Sequence, residues 1–133
     1  MLTLQKEVLV RKRMEILVRS LQEVSEYYEQ VKFSNRIYNY REIAEMVMEY
    51  TGWNWDSITL KRKKDGAFRR GIIDLIATTN GCTLNNCAQA TFRDHTTVMH
   101  SLRAIEDRLD TDRLTRNLLG EIMKYLKERE EFQ

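Results

Sequence analysis

Proline is absent from the 133 residues, glycine occurs five times and cysteine only twice. With no proline, no apolar run is barred from a helix interior, and the scarcity of glycine leaves few marked turns. The alternation of Val, Ile, Thr and aromatic residues that strands require is rare as well. Together these absences argue against a sandwich or barrel and predict an all-helical chain. Cys82 and Cys87 lie too near each other to staple a fold, and no apolar run is long enough for a signal peptide or a membrane span. A reducing cytoplasmic setting is therefore expected. No GxxxxGK[ST] sequence occurs, so a P-loop nucleotide site is excluded. Lys and Arg number 22 against 20 Asp and Glu, a net charge of +2, so partners must be sought in the local distribution of charge. The length suits one compact domain.

What is present is a succession of apolar patterns at helical spacing. From Leu2 to Lys32, residues Val10, Met14, Leu17, Leu21, Val24, Tyr28 and Val31 recur alternately four and three apart. Such a seam either packs on the body of the domain or pairs two copies into a homodimer. Leu9, Ile16 and Val18 widen the stripe in a way that suits both. Ser34 or Asn35 can cap a second helix that runs to about Thr51, with Ile37, Tyr40, Ile43, Ala44, Val47 and Met48 inward and Gly52 as its stop. Trp53 and Trp55 flank the turn into a short helix through Ile58 and Leu60, and are expected to be junction residues. Residues 1–60 thus form an N-terminal helical region.

Residues 61–133 begin with KRKKDGAFRR, in which Lys61, Arg62, Lys63, Lys64, Arg69 and Arg70 face a single acid. A basic run is commonly just a solvated surface loop, but this one directly precedes the most distinctive part of the chain, which makes it a candidate phosphate contact. Ile72, Ile73, Leu75, Ile76 and Ala77 then mark a helix ending at Asn80-Gly81. Thr83 caps a short helix through Leu84, Cys87 and Ala88. A tight connection at Thr91 to Arg93 leads to Asp94 and a helix patterned by Val98, Leu102, Ile105 and Leu109. Short helix, turn and longer helix have the dimensions of a helix-turn-helix, whose second member enters the DNA major groove by its N-terminal end. A last helix, capped by Thr111, carries Leu114, Leu118, Ile122, Met123 and Leu126.

The start of the helix after Asp94 is chemically unusual. Asp94 suits the N-cap, where its carboxylate accepts from the amides of Thr96 or Thr97. A cap does not account for Arg93, His95, Thr96 and Thr97 beside it. Arginine, threonine and histidine side chains at a helix N-terminus are groups that meet phosphate oxygens and base edges. His100, a little over one turn beyond His95, can reach the wall of the same groove.

RDHTTVMH, Arg93 to His100, closely resembles the signature of the C-terminal DNA-binding domain of the bacterial replication initiator DnaA. The resemblance reaches upstream through Arg69, Ile72, Leu75, Asn80-Gly81, Thr83, Leu84 and Ala90, and downstream through Ser101, Arg103, Ile105 and Glu106, covering about a third of the chain. It implies an all-α, Trp-repressor-like bundle with a helix-turn-helix, here joined to a long N-terminal helix, and double-stranded DNA as partner. Carried over by position, Arg93 and Thr97 hold phosphates, Asp94, His95 and Thr96 face bases, and His100 meets the backbone. Leu84 approaches a thymine methyl, Arg69 grips a phosphate, and one of Lys61 to Lys64, in the loop ending at Arg70, plays a minor-groove part. The chain departs from the family where Thr91 and Phe92 replace two glycines and Asn85 replaces a proline. Without the initiator's nucleotide loop, an ATPase is excluded.

The resulting expectation is a sequence-specific DNA-binding protein in replication or transcription control, without enzymatic activity or cofactor. The alternative is an adaptor of the replication machinery that keeps the motif as scaffold and binds through its long helix and charged tail. A metal site from Cys82, Cys87, His95 and His100 is disfavoured, because each pair is five residues apart and so diverges around a helix.

Overall fold

A computed structural model describes Tyr27, residues 29–59 and residues 64–132, with Lys64 described by its backbone alone. Helical residues 29–31 precede α1 (Tyr40–Thr51), α2 (Trp55–Thr59), α3 (Lys64–Thr79), α4 (Leu84–Ala90), α5 (His95–Thr111) and α6 (Arg113–Glu131). The described residues contain no strand, and the architecture is an all-helical bundle.

The centre of the bundle is α3. Residues 71–77 are buried without interruption, so this stretch has no solvent face, and it packs against α1, α2, α4 and α5. A helix apolar all round can sit only inside a ring of partners. Gly71 sets the closest approach: a Cβ built there would lie 3.1 Å from the Cβ of Ile105 on α5. Around α3 the inward faces of α1 (Ile43, Ala44, Val47), α5 (Val98, Ile105, Leu109) and α6 (Leu119, Ile122, Met123, Leu126) close one continuous core.

Three helix starts differ from expectation: α3 begins at Lys64, inside the stretch expected as a loop, and at the other two a better cap was available. α1 begins at Tyr40, since Asn39 Oδ1 accepts from the amide of Glu42 at 2.8 Å while Glu42 Oε1 accepts from that of Asn39 at 3.1 Å. This reciprocal pair satisfies two otherwise orphaned donors. Ile37, expected on the inner face, is left outside the helix and 90% exposed. Ser34, expected as a cap, donates its hydroxyl to Glu130 and accepts from the amide of Arg36. At the other end Thr111 is the last residue of α5, and Asp112 caps α6 by accepting from the amide of Leu114 and the hydroxyl of Thr115. That start turns Thr115 inward and leaves Leu114, expected in the core, exposed.

The segment before α1 is fastened at two points. Asn80, at the end of α3, donates to the carbonyls of Val31 and Ile76 and accepts from the amide of Phe33, so one side chain satisfies three buried backbone groups. Glu130 near the end of α6 accepts from Ser34 and from Tyr38. Val31, the last residue of the N-terminal seam, is fully buried in this chain's own core. Val10, Met14, Leu17, Leu21, Val24 and Tyr28 lie outside the described residues, as do Lys61, Arg62 and Lys63.

Candidate nucleic-acid interface

Three helix ends carry a left-handed residue. Gly52 ends α1 at φ 77°, and Gly81 follows α3 at φ 104°, where the amide of Cys82 closes back on the carbonyl of Ala77 at 2.9 Å. The third end, that of α4, repeats the geometry of the second. The amide of Arg93 reaches back to the carbonyl of Ala88 at 2.9 Å, and the residue between, at φ 55°, is Phe92. This closing pattern ordinarily places glycine at that position. Four residues, Thr91 to Asp94, thus connect α4 to α5.

Asp94 caps α5 as expected, and one of its oxygens accepts from both the amide and the hydroxyl of Thr97, each at 2.8 Å. These bonds, that from the amide foremost, hold the Asp94 carboxyl below its ordinary pKa. The carboxylate is committed to the start of the helix, and so is the Thr97 hydroxyl as a donor.

Arg93 differs most from expectation. As a phosphate contact it should point outward. Instead its side chain is 4% exposed and grips Asp74 of α3 with both terminal nitrogens, at 2.8 and 2.6 Å. Its Nε donates to the Thr91 hydroxyl, which donates in turn to the carbonyl of Cys87. Tyr40 completes the arrangement by donating its hydroxyl to Asp74 at 2.7 Å. Burial, and then the Asp74 charge, raise the Tyr40 pKa well above its ordinary value. The physical reason for the inward turn is Asp74 itself. A carboxylate fully buried among isoleucines needs a cation and hydrogen bonds, and a two-pronged guanidinium supplies both. Asp74, Tyr40 and Asn85 (below) are the contributors that sequence reasoning did not single out. For Asp74 the signal was there: it is the lone acid in the apolar run IIDLIA.

With Arg93 and Asp94 engaged, the first turns of α5 expose His95, Thr96, Thr97 and His100. His95 is steadied from α4, its Nε2 lying 3.1 Å from Asn85 Oδ1. Only a residue with a polar side chain can make this contact, which Asn85 supplies. Beside the exposed row, a groove of about 500 Å³ runs between α3 and α5 and brings Thr97, His100 and Arg108 together with Arg70, Gly71 and Arg93. Arg108 lies over the Phe68 ring at 4.3 Å along one wall.

The remaining basic candidates are dispersed. Residues 64–70, expected as part of a loop, form the first turns of α3. Arg70 is buried and donates to the carbonyl of Ile58, and burial together with the Arg93 charge lowers its pKa. Arg69 is half-buried over Trp53, with 5.3 Å from guanidinium carbon to ring centre, and is absent from the groove. Leu84 is half-buried against the core.

Cys82 and Cys87 are buried free thiols, and burial pushes the Cys87 thiol up to about 12. Among the described residues no group of three His, Cys, Asp or Glu could hold a metal ion, and no helix is long and apolar enough to cross a membrane. The chain matches no protein-family model, no curated protein and no solved structure.

Proposed function

We propose that the protein reads a short site on duplex DNA, with α4, the Thr91 to Asp94 turn and α5 acting as a helix-turn-helix, in replication or transcription control. The observation that carries this reading is the exposed donor-rich row His95, Thr96 and His100 at the N-terminal end of a long helix, whose preceding turn is held to α3 by the buried Arg93 to Asp74 pair and whose His95 meets Asn85 of the short helix. A structural helix start has no need of such a row, whereas base edges and phosphates do. The resemblance of RDHTTVMH to the initiator's DNA-reading domain supports the same assignment. In this reading His95 and Thr96 face the bases, His100 meets the backbone, Thr97 stays with the Asp94 cap, and Arg69 and Lys61 to Lys64 add phosphate contacts. Arg93 and Asp94 position the helix. Asn85 orients the His95 ring, and with one ring nitrogen held there, the other is free to meet a base.

Selection from a random-sequence duplex pool tests the assignment, using wild type beside the double variant His95→Ala, Thr96→Ala. Both positions are exposed, so the fold should tolerate the change. Enrichment of a defined short site by wild type alone, with affinity falling as salt rises, is the expected result. Absence of any enriched site would overturn the reading and favour a protein partner that uses the motif only as scaffold.

A further inference from the structure

Phe92 is the only non-glycine residue at positive φ among the described residues, and its side chain is 80% exposed. The combination is costly twice over. The left-handed conformation is unfavourable for any residue with a bulky side chain, and the exposed ring withholds most of its apolar surface from burial. Nothing in the fold asks for it. Glycine occupies the two corresponding helix ends, Gly52 and Gly81, and would complete this turn without strain. A strained residue persisting where a relaxed one would serve is the pattern of a site in use.

Its surroundings say what it meets. Among residues 84–100 the exposed large apolar side chains are Phe92, at 80%, and Met99, at 41%, and every other exposed residue of this segment is polar, Asn85, Asn86, Gln89 and Asp94 to Thr97 among them. A protein-docking patch is a contiguous apolar area. An exposed ring on a segment whose other exposed residues are nearly all polar is suited instead to a surface where carbon patches alternate with polar edges, as along the wall of a duplex groove.

We infer that Phe92 is a DNA-contacting residue, its ring packing on an apolar carbon patch of a nucleotide beside those read by His95 and Thr96. That patch is either a thymine methyl or a deoxyribose face. The inference rests on the DNA-binding reading, and its test separates the two.

The discriminating variant is Phe92→Gly, because fold and function should move in opposite directions. Relief of the left-handed strain should raise the urea midpoint, with the folding equilibrium constant increasing roughly fivefold. Loss of the ring should weaken binding to the selected site about tenfold, as expected for removing one partly buried aromatic contact. Phe92→Asn, which also tolerates positive φ, should behave the same way and guards against an effect peculiar to glycine. Replacing each thymine of the site by uracil identifies the patch. If one replacement weakens wild type and leaves Phe92→Gly unaffected, the methyl is the contact; if none does, the sugar is. A more stable variant that binds as tightly as wild type would overturn the inference and leave the DNA reading standing. A less stable Phe92→Gly would show that the ring serves the fold, and would also overturn it. If wild type selects no site, reading and inference fall together.

Discussion

At the scale of single residues, the decisive choice is the direction of Arg93. Its sequence neighbours are groups suited to DNA, and position alone assigns it to a phosphate. Its side chain answers a different demand, the charge of Asp74 at the centre of α3. Removing it should therefore damage the fold first. Arg93→Ala takes the paired guanidinium away from a fully buried carboxylate, and such a loss costs about 3–5 kcal/mol. Equilibrium urea unfolding should show that drop, with a smaller one for Arg93→Lys, which restores the charge without the two-pronged geometry. His95→Ala, at an exposed site, should stay within about 0.5 kcal/mol of wild type by the same measurement. A near-neutral Arg93→Ala would mean that the pair contributes little and that the arginine is free to serve a ligand. For the same reason, loss of DNA binding in an Arg93 variant cannot on its own be taken as loss of a contact. The residue scale also marks where sequence reasoning ran short. Asp94 as a cap followed from its type and place, but the Asp74 to Arg93 pair joins residues 19 apart, and while the lone acid in IIDLIA signals the need for a cation, nothing local says which one answers it.

At the scale of elements, the helices were legible wherever apolar spacing and a stop signal agreed. α4, α5 and the end of α3 follow from Thr83, Asp94 and the Asn80-Gly81 turn, and the structure places them accordingly, while residues 64–70, read as a loop, belong to α3. The errors lie at helix starts, where several capping residues stood within reach. Ser34 or Asn35 against Asn39, and Thr111 against Asp112, are choices among chemically similar caps. The reciprocal Glu42 and the Thr115 hydroxyl decided them. The closeness of packing was not legible at all. Gly71 sits inside a helix, where alanine is intrinsically preferred by about 1 kcal/mol. Its Cβ would nevertheless press on Ile105 at 3.1 Å, and backbone or rotamer shifts of that kind cost about 1–3 kcal/mol. Gly71→Ala should accordingly be neutral to destabilising, by up to 2 kcal/mol on the order of these opposing terms. Because Ile105 stands on the helix that bears the exposed row, the variant should also perturb the amide resonances of His95 to His100 in a proton–nitrogen correlation spectrum. A clearly stabilised variant with an unmoved spectrum would show that α3 and α5 have room to spare.

At the scale of the whole molecule, the segment before α1 is tied to the last helix. Glu130 on α6 accepts from Ser34 and Tyr38, residues more than ninety positions earlier, so a carboxylate holds the segment before α1 against the last helix. Loop closure over that distance is entropically unfavourable, and the fastening carries part of the burden of keeping Val31 and Phe33 in the core. The hydrogen bonds, that from Ser34 foremost, hold the Glu130 carboxyl below its ordinary pKa. The sign of the consequence follows directly. A carboxyl whose pKa is lower folded than unfolded stabilises the fold fully above the unfolded value of about 4.3, and that contribution is lost as pH falls through the folded value. Glu130→Gln cannot ionise and so lacks the contribution at every pH. Wild type should be more stable than Glu130→Gln at pH 7, keep that margin down to about pH 5, and lose it progressively toward pH 3. Urea midpoints of the two proteins at four or five pH values check this, and other titrating groups cancel in the difference. A margin that stayed constant to pH 3 would show that the fastening depends on hydrogen-bond geometry alone, with no contribution from the charge.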